Sequence, residues 1–121
     1  MDKSAEIRQK TKKFALEIMK LVEQLPNDFV VNVIKKQMLR SGTSVGANYR
    51  AVCRAKTKPD FIFKMGIVEE EADETRFWLE LLEESGKVEK KKTDKIYKEA
   101  SQILAIAVAS LKTAKRDRKK R

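Results

Sequence analysis

Histidine is absent from this 121-residue chain, and that absence excludes more chemistry than any other feature of its composition. The chain holds no His-ligated metal site, no His general base and no Ser-His or Cys-His nucleophile pair. A single cysteine, Cys53, excludes an internal disulfide and a zinc finger, and agrees with a reducing compartment. Only four glycines and two prolines occur, so there is little material for turns, while Ala, Leu, Lys, Glu and Ile favour helix. No apolar run reaches the roughly 18 residues needed to span a bilayer, and the N-terminus is charged where a signal peptide would be apolar. These absences predict a soluble, cytoplasmic, all-α protein without metal, cofactor, membrane association or enzymatic activity.

What is present suits one domain: 41% hydrophobic and 38% charged residues in a chain of this length bury a real but thin core. Helical spacing of apolar residues predicts four helices. The first runs from about Ser4 to Gln24, ended by Pro26 and Asn27, and the second from about Asp28 to Ala55. The third starts at Pro59, capped by Thr57 or Lys58, and stops near Ser85-Gly86. The fourth starts between Glu89 and Thr93 and continues toward Ala114. Short connections make neighbours antiparallel, so the expected fold is an up-down-up-down four-helix bundle over 1–111 followed by a basic, disordered tail over 112–121.

The formal net charge of +10 suggests a nucleic-acid partner, but its distribution is uneven. Residues 28–58 hold seven basic and one acidic group, whereas 59–86 hold two basic and nine acidic, and the last ten hold seven and one. Consecutive helices of opposite sign can pair within a subunit or between subunits.

The most informative segment runs from Met38 to Arg54, where small residues fall inside a long helix. At about 100° per residue, Lys36, Arg40, Thr43, Ala47, Arg50 and Arg54 fall within roughly 80° of one another. They form a cationic ridge without bulky neighbours. Ile34, Met38, Ser41, Val45, Asn48 and Val52 lie nearly opposite and face the core. Gly42 and Gly46 each cost about 1 kcal/mol of helix propensity against Ala, which implies a close approach. Ser41, Ser44 and Asn48 are read as structural polar groups bonding to carbonyls or to each other. Tyr49 flanks the ridge, and Cys53 is read as a small, partly buried hydrophobe.

The third helix is apolar on two sides. Phe61, Met65, Val68, Ala72, Leu79 and Leu82 make a core stripe, while Phe63, Ile67, Trp78 and Leu81 make a second one that predicts a homo-oligomer interface. The acidic run Glu69-Glu70-Glu71 with Asp73 and Glu74 lacks the His that helical di-metal sites use, and reads as a solvated face. Glu71 lies between the two apolar stripes and needs a partner.

Taken together, Leu25-Pro26, Arg40-Ser-Gly-Thr-Ser-Val-Gly-Ala-Asn48, Tyr49-Arg50, Phe61-Ile-Phe-Lys-Met-Gly-Ile67 and Glu71-Ala-Asp-Glu-Thr-Arg-Phe-Trp-Leu-Glu-Leu-Leu82 resemble a family of four-helix bundle proteins. That family was first known from open reading frames in intervening sequences of bacterial 23S ribosomal RNA genes. The resemblance spans about Phe14 to Leu111 and implies a bundle that assembles as a ring-like homopentamer. A related branch, the accessory protein of diversity-generating retroelements, is a basic pentameric bundle that binds nucleic acid and a reverse transcriptase. Relatives often carry an acidic residue shortly after the Asn of the second helix, where this chain has Ala51 and Val52, and the ridge is more cationic for it.

The expected function is thus a non-enzymatic, oligomeric nucleic-acid-binding protein in which Lys36, Arg40, Arg50, Arg54 and Lys58 contact phosphates of RNA or DNA with weak sequence specificity. The alternative is an assembly scaffold with no direct nucleic-acid role, in which the basic second helix pairs with the acidic third helix of a neighbouring subunit. Another protein partner fits either reading.

Overall fold

The computed structural model describes residues 2–119, which form α1 (Lys3–Gln24), α2 (Phe29–Cys53), α3 (Lys58–Glu84) and α4 (Lys90–Lys119), with no strand among the described residues. Three of these helices open on an oxygen-bearing side chain that accepts from an otherwise unpaired amide. Asp2 accepts from the Ala5 amide at 2.9 Å, Asp28 from Val31 at 3.0 Å and Thr57 from Asp60 at 3.2 Å. Pro59 occupies the first turn of α3, where its missing N–H costs nothing. At the other end of α3, Ser85 and Gly86 donate back to Leu81 and Glu83, and Gly86 takes φ +73°, a conformation that glycine adopts without strain.

Consecutive helices pack along their lengths, and α1 meets α4 to close the ring. The contacts of α1 with α2, of α1 with α4 and of α3 with α4 run antiparallel. Gly42 and Gly46 of α2 meet Ile18 and Thr11 of α1, Arg76 of α3 reaches Tyr97 of α4, and Lys10 of α1 reaches Gln102 of α4. The inward stripes hold Phe14 and Ile18, Met38 and Val45, Val68 and Leu79, and Ile103 and Ala107, all at most 2% exposed.

The two glycines of α2 explain the small-residue segment. A Cβ on Gly42 would stand 2.9 Å from Cγ1 of Ile18, and one on Gly46 would stand 3.3 Å from the Thr11 carbonyl oxygen. Close packing of α1 on α2 therefore requires them, and it offsets the propensity lost.

Two expectations are corrected. Tyr49 points into the core, 5% exposed, and does not flank a surface ridge; burial first, and the nearby Cys53 thiol second, push its phenol up to about 12. Cys53 is exposed, because the inward stripe of α2 ends at Val52. Beyond 111, α4 continues to Lys119, and Leu111 and the buried Ala114 extend its inward stripe. The remainder of the expected tail, residues 120 and 121, lies outside the described residues.

Candidate nucleic-acid interface

The outward face of α2 divides into cations that are already engaged and cations that are not. Arg40 Nη1 lies 3.4 Å from Glu71 Oε2, and its Nη2 contacts Glu74, both on α3 of the same chain. Trp78 Nε1 donates to the same Glu74 oxygen at 3.0 Å. The Trp78 bond first, and Arg40 after it, hold the Glu74 carboxyl below its ordinary range, while Glu74 and Glu71 raise Arg40. Arg40 thus ties α2 to α3 within one chain. Both acidic partners of Arg40 lie in its own chain.

Lys58 stands apart from the cations of α2. It is the first residue of α3 and lines a shallow depression with Phe61, Ala109, Ser110 and Thr113, on the side of α4. Lys36 stays exposed on α2 but does not line the groove that Arg50 and Arg54 enter.

That groove lies between α1 and α2. Arg8 and Lys12 form one wall, Arg50 and Arg54 the other, and Ala15, Thr43, Gly46 and Ala47 form a floor of small residues, enclosing about 410 Å³. Among the described residues, no carboxylate lines it. None of the four cations forms an ion pair among the described residues, and all four are exposed. Such an arrangement suits an anion that lies along a channel, because the field of the four charges converges where the floor is low. Arg8 and Lys12 escaped the sequence reading. Their signal was their four-residue spacing on a helix, which puts both on one flank.

The polar residues of α2 satisfy one another. Asn48 Nδ2 donates to the Ser44 carbonyl at 2.9 Å and to the Ser44 hydroxyl at 2.8 Å. Ser41, fully buried, lies 2.8 Å from the Thr75 hydroxyl of α3, and Thr75 donates to the Glu71 carbonyl at 2.8 Å. With Thr75 committed as a donor, Ser41 supplies the proton that crosses between the helices.

The second apolar stripe of α3 is partly covered. Phe63 is 68% exposed and Leu81 is exposed as well, while Ile67 and Trp78 are half-buried. Phe77 meets Trp78 edge to face, with centroids 5.1 Å apart. The start of α2 adds Phe29, Val30 and Val33 to the uncovered apolar side chains.

No helix among the described residues is long and apolar enough to cross a membrane. A search among curated proteins finds no match. A crystal structure of a protein of unknown function from the S23 ribosomal protein family, from Bacteroides thetaiotaomicron VPI-5482, is 35% identical, with a TM-score of 0.82 over 92% of this chain and 99% of that one. The family model for the 23S rRNA-intervening sequence protein matches residues 3–109. With the model spanning all four helices and the solved relative sharing their arrangement, the chain belongs to the 23S rRNA-intervening sequence protein family.

Proposed function

We propose that the chain is a self-associating nucleic-acid-binding protein that acts by binding rather than catalysis, with the α1/α2 groove as its phosphate site. One observation carries this reading: four cations from two helices line a groove that, among the described residues, contains no carboxylate. Contacts of this kind neutralise backbone phosphates and release counterions, so binding is weakly sequence-specific and falls with salt. RNA is favoured over DNA by the family's association with an rRNA intervening sequence. Self-association into a ring, the pentamer that the family resemblance implies, uses the partly covered stripe of Phe63, Ile67, Trp78 and Leu81, where aromatic residues supply anchors.

The scaffold reading needs the cations of α2 to be spent on a neighbour's carboxylates. Arg40 finds its carboxylates in its own chain, which leaves Arg50 and Arg54 for phosphate. Fluorescence anisotropy with a single-stranded RNA, followed against salt, tests the groove. Replacing Arg50 and Arg54 with Gln lowers the affinity and flattens the salt slope by about 1.4, at roughly 0.7 for each lost phosphate contact. An unchanged affinity in a folded, assembled double variant overturns the groove as the site.

A further inference from the structure

The opposite flank of α1 carries a second cationic surface. Along the seam where α1 meets α4, Lys10 and Lys13 face Lys95 and Lys98 across a pocket of about 300 Å³ that also takes in Glu99 and Gln102. Its walls are held in place. Lys10 Nζ donates to Gln102 Oε1 at 2.7 Å across the seam, and Lys13 and Lys95 approach Glu17 from opposite helices, each at 4.0 Å. Farther along the seam, Lys20, Lys91 and Lys92 continue the same surface beside Glu17. Neither α2 nor α3 contributes a residue to these walls.

Glu99 lines this pocket beside Lys13 and Lys95, the two lysines that lie 4.0 Å from Glu17, so both carboxylates sit within one ring of lysines. The Glu17 side chain is only 16% exposed. Two neighbouring carboxylates repel, so one proton shared between them is favourable even though lysines surround the pair. We propose that the α1/α4 seam is an oxyanion site for phosphate groups, distinct from the α1/α2 groove, and that its occupation takes up a proton at the Glu17–Glu99 pair. With both carboxylates charged, four lysines leave the pocket and its neighbour Glu17 at a net +2. One proton raises this to +3 and removes one charge that repels the incoming anion. Burial and the Glu17 carboxyl already push Glu99 up to about 7, with Lys95 and Lys13 opposing, so the proton is available near neutrality. A bound anion adds a further negative charge and strengthens the proton's hold.

Sulfate is the probe, since its charge does not change over this pH range. Amide chemical shifts of the full chain are followed by NMR during sulfate addition at pH 6 and pH 8, with ionic strength held by chloride. The expected result is perturbation centred on Lys10, Lys13, Lys95 and Lys98, with affinity about fivefold tighter at pH 6, as a shift of about one pKa unit on binding requires. In E99Q the pH dependence disappears, and in K95Q/K98Q, where both lysines are exposed and their loss leaves the core intact, sulfate perturbation of the seam is lost. Equal affinity at the two pH values, pH dependence that survives in E99Q, or perturbation confined to the α1/α2 groove each overturns the proposal. A uridine oligonucleotide that displaces sulfate from the seam identifies an RNA backbone as the source of the phosphate; retention of sulfate identifies a free phosphate or a small phosphorylated ligand. The variant R50Q/R54Q keeps the sulfate response of the seam whatever its RNA affinity, so failure of the groove and failure of the seam are read separately.

Discussion

Arg40 on α2 and Glu71 on α3 stand 3.4 Å apart within one chain, next to a second contact from Arg40 to Glu74. One guanidinium therefore serves two carboxylates, the geometry for which Arg is better suited than Lys. The consequence is a division of labour along one helix face. Replacing Arg40 with Gln lowers the melting temperature, because Glu71 and Glu74 then repel without compensation, yet it leaves the salt slope of RNA binding unchanged. Replacing Arg50 with Gln does the reverse. Thermal unfolding and anisotropy on the two single variants check this; an equal effect of both on the salt slope contradicts the division.

Gly42 and Gly66 both lie inside helices, but their surroundings differ. Gly42 has Ile18 within 2.9 Å of where a Cβ would stand, and Ile18 is fully buried and branched, with nowhere to go; Gly66 has nothing within 4 Å. Gly42→Ala should destabilise by about 1–3 kcal/mol through overpacking. Gly66→Ala should stabilise by about 0.5–1 kcal/mol through helix propensity alone. Urea unfolding of the two variants gives opposite signs.

These same residues mark how far the sequence could be read. The helices and their ends were legible because apolar residues recur at helical spacing and because Asp28, Thr57, Pro59 and Gly86 sit where caps and stops belong. The glycines of α2 signalled a close approach but not its partner, since which flank of α1 meets α2 is a property of packing. For that reason Arg8 and Lys12 could not be joined to Arg50 and Arg54 from spacing alone. The opposite charges of the second and third helices were visible, but that Arg40 is the cation that meets Glu71 and Glu74 was not. Thr75 was missed because a lone hydroxyl in an apolar stripe has no periodic signature, and its meaning appears only with Ser41 opposite.

Ser41 and Thr75 are both fully buried and bond only to each other and to helix carbonyls. Thr75→Val keeps the volume of the side chain but leaves the Ser41 hydroxyl with a poor 3.4 Å contact to the Met38 carbonyl. The expected loss is about 1–3 kcal/mol, the penalty for an inadequately paired buried polar group. Adding Ser41→Ala should recover part of it, so that the double variant is more stable than the single losses add up to. A double-mutant cycle by chemical denaturation measures this coupling, and strict additivity would show that the bond across the interface contributes nothing.

Phe63 is 68% exposed, whereas Leu79, on the same helix, is fully buried. A charge at the first position is tolerated by the isolated bundle and a cavity at the second is not. Phe63→Glu should preserve the helical circular dichroism spectrum while shifting sedimentation toward a single chain. Leu79→Ala should lower stability by about 2–5 kcal/mol. Sedimentation of the Phe63 variant unchanged from the parent would remove this stripe from the assembly surface.

Glu99 makes the stability of the α1/α4 seam depend on pH. Its carboxyl, pushed up by burial and by Glu17, titrates near 7 in the folded chain against 4.5 for an unperturbed Glu. The folded state therefore holds this proton more tightly than the unfolded one. The stabilisation is complete below about pH 4.5, diminishes as the pH rises through 7 and is gone above it. Because α1 and α4 share the thinnest of the helix contacts, the loss falls where the bundle is least supported. The urea midpoint of the parent chain should decline between pH 5 and pH 8, while Glu99→Gln, which keeps the amide neutral throughout, should show a flatter profile and a higher midpoint at pH 8. Parallel profiles for the two proteins would place the pH dependence elsewhere in the chain.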